Sequence, residues 1–509
     1  MKKSVIIIVL GVILYSFSLF NGFVWDDEGF IEQRYSSLPP IIQSVKTQVF
    51  FRPAISLVYT SLHTLFGIQP FFHHLFQVVF HIATALMIYY LFRRLFKENV
   101  AFVLSLLFLV HPSNVEAVCF ASAMQEVLFT LTGLGGLYFL VCSKKISVIT
   151  ILGSTVLVSV SFLMKETGIV FFALIFGYLF LFHKKNTTVI QLYGAFSIIV
   201  IFAYMFVRFS SGNMYIQDQG IFPIMRASFT TRLINIPMII FYYLSKFFFP
   251  LNLGIAQHWV VYSLGFTSFF LPLIVEIALL ISVIIYILKT KNKLFAFFFL
   301  WFLIGLLPHI QIIPLNMTVA ERWLYFPMIG LLGMGGVIIQ SLELKTESLK
   351  LKVMFVCLLI IFFVRSFVRT LDWRSGLSLF GRDIRKDSSF DLQNNLGVEL
   401  FRTAKYKEAM KYFKISTRLA PYWWVNWDNL GVSYERQNNY QKARECYQAA
   451  IKSGGYSPAY ENYARILVLH GTDKKETETF LKKAIALFPD NKYIQDVQIY
   501  YYQQLRKNK

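Results

Sequence analysis

The stretch VIIIVLGVILYSFSLF, residues 5–20, runs directly into NGFVWDDEGF, residues 21–30. The first part is an apolar run behind Lys2 and Lys3, with no small-residue cleavage site after it, and it reads as a retained signal anchor. The second part sets three acids, Asp26, Asp27 and Glu28, at the edge of that run in a chain of formal net charge +21. Ionisable groups beside a hydrocarbon layer are costly unless paired, hydrated or useful, so the rest of the chain decides what these acids are for.

With 509 residues, 56% of them hydrophobic and 15% charged, and a mean hydropathy of +0.55, the chain is too apolar for an ordinary soluble protein. Long apolar runs place spans near 4–21, 71–92, 100–113, 124–143, 146–164, 167–183, 188–207, 267–288, 294–313, 323–341 and 352–370. These are about eleven transmembrane helices. Lys2-Lys3, Arg93-Arg94-Lys97, Lys144-Lys145, Lys184-Lys185, Lys289-Lys291-Lys293 and Lys345-Lys350-Lys352 fall in alternate connections, which the positive-inside bias puts in the cytoplasm. The N-terminus is then cytoplasmic and the polar C-terminal region extracytoplasmic, in a multi-pass protein of the cell membrane. The stretch RLINIPMIIFYYLSKFFFP, 232–250, is expected as an interfacial or re-entrant helix, because a full crossing would move KTKNK, 289–293, outside.

The basic excess is thus a topology signal, and no motif points to nucleic acid as a partner. Cys119, Cys142, Cys357 and Cys446 are scattered and suggest neither a zinc site nor a disulfide framework. His73, His74 and His81 adjoin no acidic partner, so no metal site is read there.

The segments left on the outer face carry nearly all the mixed-charge motifs: the loop 22–70, HPSNVEA at 111–117, Lys165-Glu166, the loop 208–266 and VAERW at 319–323. A carboxylate can accept a proton from a hydroxyl, while nearby Arg and Lys stabilise a phosphate leaving group. That inventory suits transfer of a sugar from a lipid phosphate to a hydroxyl. Within the first loop, RYSSLPPIIQSVKTQVFFRPAISLVYTSLHTLFG has apolar residues at helical spacing without a long apolar run, so surface helices in the membrane interface are expected. Arg52 in FFRP is placed to reach a lipid phosphate or an ordinary headgroup. His111 with Pro112 ends a span, and His111 and Glu116 are candidates for sugar or acceptor contact, although a histidine there also serves as a cap.

Beyond residue 372 the composition turns polar. NNLGVELFRTAKYKEAMKYF, 394–413, is echoed by DNLGVSYERQNNYQKARECY, 428–447, at an offset of 34 residues. This is the spacing of tetratricopeptide repeats, whose stacked helix pairs usually bind peptide on the concave face. A weaker third copy runs from about Tyr460 to Pro489, and YIQDVQIYYYQQLRKNK reads as a capping helix. The expected layout is a membrane domain at 1–372, a linker at 373–390 and a repeat domain at 391–509, in an all-α chain.

Taken together, NGFVWDD, FFRPAISL, LVHPSNVEAV, LMKETG, VAERWLYFP and RTLDWRSGLSLF, followed by these repeats, resemble the transmembrane and tetratricopeptide repeat family of protein O-mannosyltransferases and its prokaryotic relatives, within the GT-C superfamily. The resemblance implies a membrane glycosyltransferase that uses a polyprenyl-phosphate-linked sugar donor, with its catalytic acids in the first outer loop. The family's acidic pair falls on Asp26 and Asp27, with Asp26 as base and Asp27 positioning the acceptor or the base. Its other pairs fall on Lys165-Glu166 and Glu321-Arg322, and its HP motif on His111-Pro112. Arg322, Lys165 and Arg52 would hold the donor phosphate; Glu116, Glu166, Glu321 and His111 would bind substrate or support those that do. This chain departs from the family at Trp323, where relatives often have Tyr, and at Ala123-Met124-Gln125, where relatives have a polar or basic pair. No cofactor or metal is expected: Asp26 and Asp27 offer oxygen ligands for Mg²⁺ or Mn²⁺, but two adjacent carboxylates alone make a poor cage. A protein Ser or Thr hydroxyl bound through the repeats is the expected acceptor, with a glycan or lipid acceptor, or a non-catalytic membrane scaffold, as alternatives.

Overall fold

A computed structural model describes residues 2–32, 51–210, 220–341, 349–454, 456–471 and 473–507. The chain divides into two compact units, Met1–Ser375 and Gly376–Lys509. Among the described residues all named elements are helical, and the only β pairing is an isolated antiparallel bridge between Gln257 and Val319.

In the first unit, every expected span contains an apolar helix. Six are long and apolar enough to cross a bilayer: Lys2–Phe20, Pro70–Leu95, Ala121–Val141, Thr187–Ser210, Phe266–Thr290 and Lys352–Asp372. Four more, Val148–Met164, Glu166–Phe182, Lys293–His309 and Pro327–Ser341, are apolar but have 17 residues or fewer. At 1.5 Å per residue such a helix falls short of about 30 Å of hydrocarbon, so length and composition alone account for fewer crossings than the hydropathy of the sequence suggests. The chain is a multi-pass helical membrane protein.

Local chemistry sets the ends of these helices. Ser147 caps Val148–Met164 in a reciprocal box with Thr150, and Asn292 Oδ1 accepts from Phe295 N at 3.0 Å to start Lys293–Leu306. Pro112 breaks the third expected span, and Glu98–Val110 meets Pro112–Cys119 at 51°. That bend turns the HPSNVEA segment back into the unit, where Val115 to Cys119 are all buried.

Of the loop 22–70, expected on the outer face, residues 33–50 lie outside the described residues. The remainder forms Pro53–Phe66, which buries Ile55, Tyr59 and Leu62 and exposes Leu57 and Leu65. Residues 229–248, including most of the stretch expected to be interfacial, form one helix with Pro237 inside it. It buries the polar Asn235 and Lys246 and is not among the described helices apolar enough to cross.

The second unit is an α-solenoid of three helix pairs, Phe390–Arg402 with Tyr406–Leu419, Trp424–Glu435 with Tyr440–Gly454, and Ser457–His470 with Lys474–Leu487. The last helix, Lys492–Lys507, caps it by burying Ile494 and Tyr501 against Tyr460, Ala464, Leu481 and Ala484. Residues expected to form part of a linker instead hold the helix Gly376–Asp383, which packs on Phe390–Arg402. The 34-residue period has a direct physical meaning. A Cβ on Gly397 would lie 2.6 Å from the Phe413 ring, and one on Gly431 would lie 2.5 Å from the Tyr447 ring. Each glycine therefore lets an aromatic side chain of the second helix press onto the backbone of the first.

Gly431→Ala should destabilise the solenoid by about 1–3 kcal/mol through this overpacking. Limited proteolysis of the full chain in detergent should show earlier cleavage within 376–509, while Gly381→Ala, where a Cβ meets nothing within 4 Å, should leave the pattern unchanged.

Candidate active site

Five of the expected residues, Asp26, Arg52, Lys165, Glu166 and Arg322, line one cavity of about 530 Å³ in the membrane unit. Asp26 is brought there by a short loop whose backbone is tied down on both sides. Trp25 takes a left-handed conformation, φ 58°, and its ring stacks on Phe120 at 5.2 Å. Asp27 is fully buried and does not line the cavity. Its Oδ1 accepts from Ser122 N at 2.7 Å and its Oδ2 from Val24 N at 3.2 Å. Burial pushes the Asp27 carboxyl up to about 7, against the hydrogen bonds from Ser122 and Val24 that pull it down. The two adjacent acids thus have separate places: Asp26 faces the cavity, and Asp27 fastens the loop 22–70 to the turn Ala121–Ala123.

Three of the cations on the cavity wall, Arg52, Lys165 and Arg322, are ion-paired. Lys165 follows the helix Val148–Met164 in an extended conformation, and its ammonium bonds Glu126 in a pair shielded from solvent on both sides. Gly168 makes this turn possible, since a Cβ there would lie 2.4 Å from Ser161 O. Arg52 Nε donates to Glu166 Oε2 at 2.7 Å. The Arg322 guanidinium bonds Glu116, whose second oxygen accepts from Arg322 N at 3.0 Å. That guanidinium also lies 5.6 Å from the Phe120 ring and 5.8 Å from the Trp25 ring, close enough for cation–π attraction.

Other expected residues sit behind the wall. His111 is a cap: its Nδ1 accepts from Ser113 N at 3.3 Å and its Nε2–H donates to Phe247 O at 3.0 Å. It is 1% exposed and does not line the cavity, because the Pro112 bend needs its ring as a partner. Glu116 is equally enclosed and acts through Arg322. Glu321 accepts from Gly254 N and is wholly buried.

Ser122, Gln125, Glu126, Arg208, His309 and Trp323 also line the cavity and were not assigned to it from the sequence. Glu126 carried a usable signal, an acid in the first turn of a membrane span, where an uncompensated charge is expensive. Among the described residues no group of three or more His, Cys, Asp or Glu is arranged to hold a metal ion.

Comparison with known proteins agrees with this architecture. Residues 52–207 match the family model described as dolichyl-phosphate-mannose-protein mannosyltransferase, and residues 425–453 match the tetratricopeptide repeat. The two matches fall in the helical membrane unit and in the solenoid respectively. The chain is similar to proteins named as protein O-mannosyl-transferases. A protein O-mannosyl-transferase of Caenorhabditis elegans is 24% identical over 446 residues, covering 82% of this chain and 63% of its own. Protein O-mannosyl-transferase TMTC3 of Homo sapiens is 25% identical, covering 97% of this chain and 61% of its own. The chain therefore spans about three fifths of the length of these relatives.

Glu126→Gln removes the carboxylate facing Lys165 and should cost about 3–5 kcal/mol, because a buried ammonium is left uncompensated. Thermal unfolding in detergent should show a large fall in midpoint for that variant and recovery of most of it in the double variant Glu126→Leu, Lys165→Met.

Proposed function

We propose that this protein is a glycosyltransferase that moves a sugar from a polyprenyl-phosphate donor to a Ser or Thr hydroxyl of a protein, on the extracytoplasmic side of the cell membrane. The observation that carries this reading is the convergence of Asp26 with Lys165, Arg52 and Arg322 on one cavity. A scaffold that only displayed repeats would have no use for three acids and four cations around a shared space.

Asp26 takes the proton of the acceptor hydroxyl as its oxygen attacks the anomeric carbon. The new bond forms from the acceptor oxygen to that carbon, and the bond from that carbon to the phosphate oxygen breaks. The departing polyprenyl phosphate keeps the electron pair and is stabilised by Arg322, Lys165 and Arg52. A single displacement inverts the anomeric centre. Asp27 supports the reaction from behind by fixing the loop that carries Asp26, which is the base-positioning part of the role expected of it. Glu116, Glu126 and Glu166 orient the cations.

The solenoid supports a protein acceptor, since a lipid or glycan would not need a stacked-helix surface. Alternation of the basic clusters supports an outward-facing cavity. Mannose stands in the names of the relatives, which makes a mannosyl donor the first to assay.

Purified protein given a radiolabelled polyprenyl-phosphate sugar should label an acceptor peptide, and Asp26→Asn should lower the rate by about 10²-fold or more without changing the fold. Transfer by the folded Asp26→Asn protein at the wild-type rate would show that Asp26 is not the base.

A further inference from the structure

His309 lies in the turn Leu307–His309 that ends the helix Lys293–Leu306, within the apolar stretch GLLPHIQIIP. It lines the cavity yet is only 4% exposed. Its imidazole stacks on Trp323 with ring centres 4.8 Å apart and planes 11° from parallel. Among the described residues neither ring nitrogen has a hydrogen-bond partner, and Nδ1 is sealed from solvent. Its charged neighbours are Lys165 and Arg322.

An enclosed imidazole without partners is a desolvated polar group, a cost that a ligand offering an acceptor would recover. The cavity's charges say what that ligand is. Arg52 is matched by Glu166, Lys165 by Glu126 and Arg322 by Glu116, so each of these cations already shares its N–H groups with a carboxylate. An entering phosphate must compete with those carboxylates. His309 brings a donor that no carboxylate shares, beside Lys165 and Arg322, two of the four cations that line the cavity.

We propose that His309 donates an N–H hydrogen bond to a non-bridging oxygen of the donor phosphate, and that Trp323 is a positioning residue that holds the imidazole plane. This rests on the reading of the ligand as a polyprenyl-phosphate sugar. Phosphate recognition is then divided between ion-paired cations, which supply the field, and an imidazole, which supplies an uncontested hydrogen bond. Trp323 has a purpose in this arrangement that a smaller tyrosine ring would serve with less stacking area.

The test is equilibrium binding to the full chain in detergent, with two probes: polyprenyl phosphate without sugar, and the polyprenyl-phosphate sugar. His309→Phe keeps the stack and removes the donor. It should weaken both probes about tenfold or more, the scale of a hydrogen bond to a charged group. His309→Gln retains a donor and should stay within about threefold of wild type. Trp323→Leu should weaken binding in the wild-type background and add nothing in the His309→Phe background, a non-additivity that a general packing defect would not produce. Where the Phe variant does not fold, His309→Leu gives the same comparison. Unchanged binding of both probes to the folded His309→Phe protein overturns the proposal, and so does a loss confined to the sugar-bearing probe, which would place His309 on a sugar hydroxyl. Wild-type protein that binds neither probe would instead overturn the donor assignment itself.

Discussion

A charge at the rim of a hydrocarbon layer must be compensated, and in this molecule the compensating groups come from distant parts of the chain. Lys165, at the end of one helix, bonds Glu126 at the start of another. Arg52, in the loop 22–70, bonds Glu166, and Arg322 reaches Glu116 in the bent segment behind Pro112. Each pair joins two elements and in the same act builds part of the cavity wall. Closing the fold and assembling the site are therefore one process, and the wall cannot lose a charge without loosening a junction between helices.

How much of this was legible follows from the range of the interactions involved. Apolar runs and the 34-residue repeat are local patterns, so the helices and the solenoid could be read directly from residue order. Helix length was harder to read, since hydropathy does not register where a cap such as Ser147 or a breaker such as Pro112 ends the helix. Glu126 and Lys165 are 39 residues apart, and nothing local in either says that they meet. Adjacent acids are equivalent on paper; only the backbone donors of Ser122 and Val24 distinguish Asp27, the clamp, from Asp26, the cavity group. His111 drew attention through its motif but is spent on a turn. His309 drew none, because an isolated histidine among Leu, Ile and Pro has no signature until Trp323 is seen beside it.

The solenoid illustrates the opposite case. Its geometry is carried by residues whose partners sit one helix away at a constant offset, Gly397 with Phe413 and Gly431 with Tyr447. Ala404 and Asn438, also 34 residues apart, both take positive φ near 60° where the first helix of a pair turns into the second. Repetition converts tertiary contacts into a pattern that residue order alone displays. The membrane unit has no such repetition, and its contacts must be seen to be known.

The left-handed backbone at Trp25 carries a consequence for how Asp26 is aimed. A bulky residue at φ 58° stores about 1–3 kcal/mol that glycine or asparagine would largely avoid. The conformation is held by the indole's packing against Phe120 and under Arg322. The loop behaves as a loaded spring with an aromatic latch: the direction of the carboxylate is set by ring contact and not by chain preference. Separating the two rings would release the strain and, with it, the aim of Asp26.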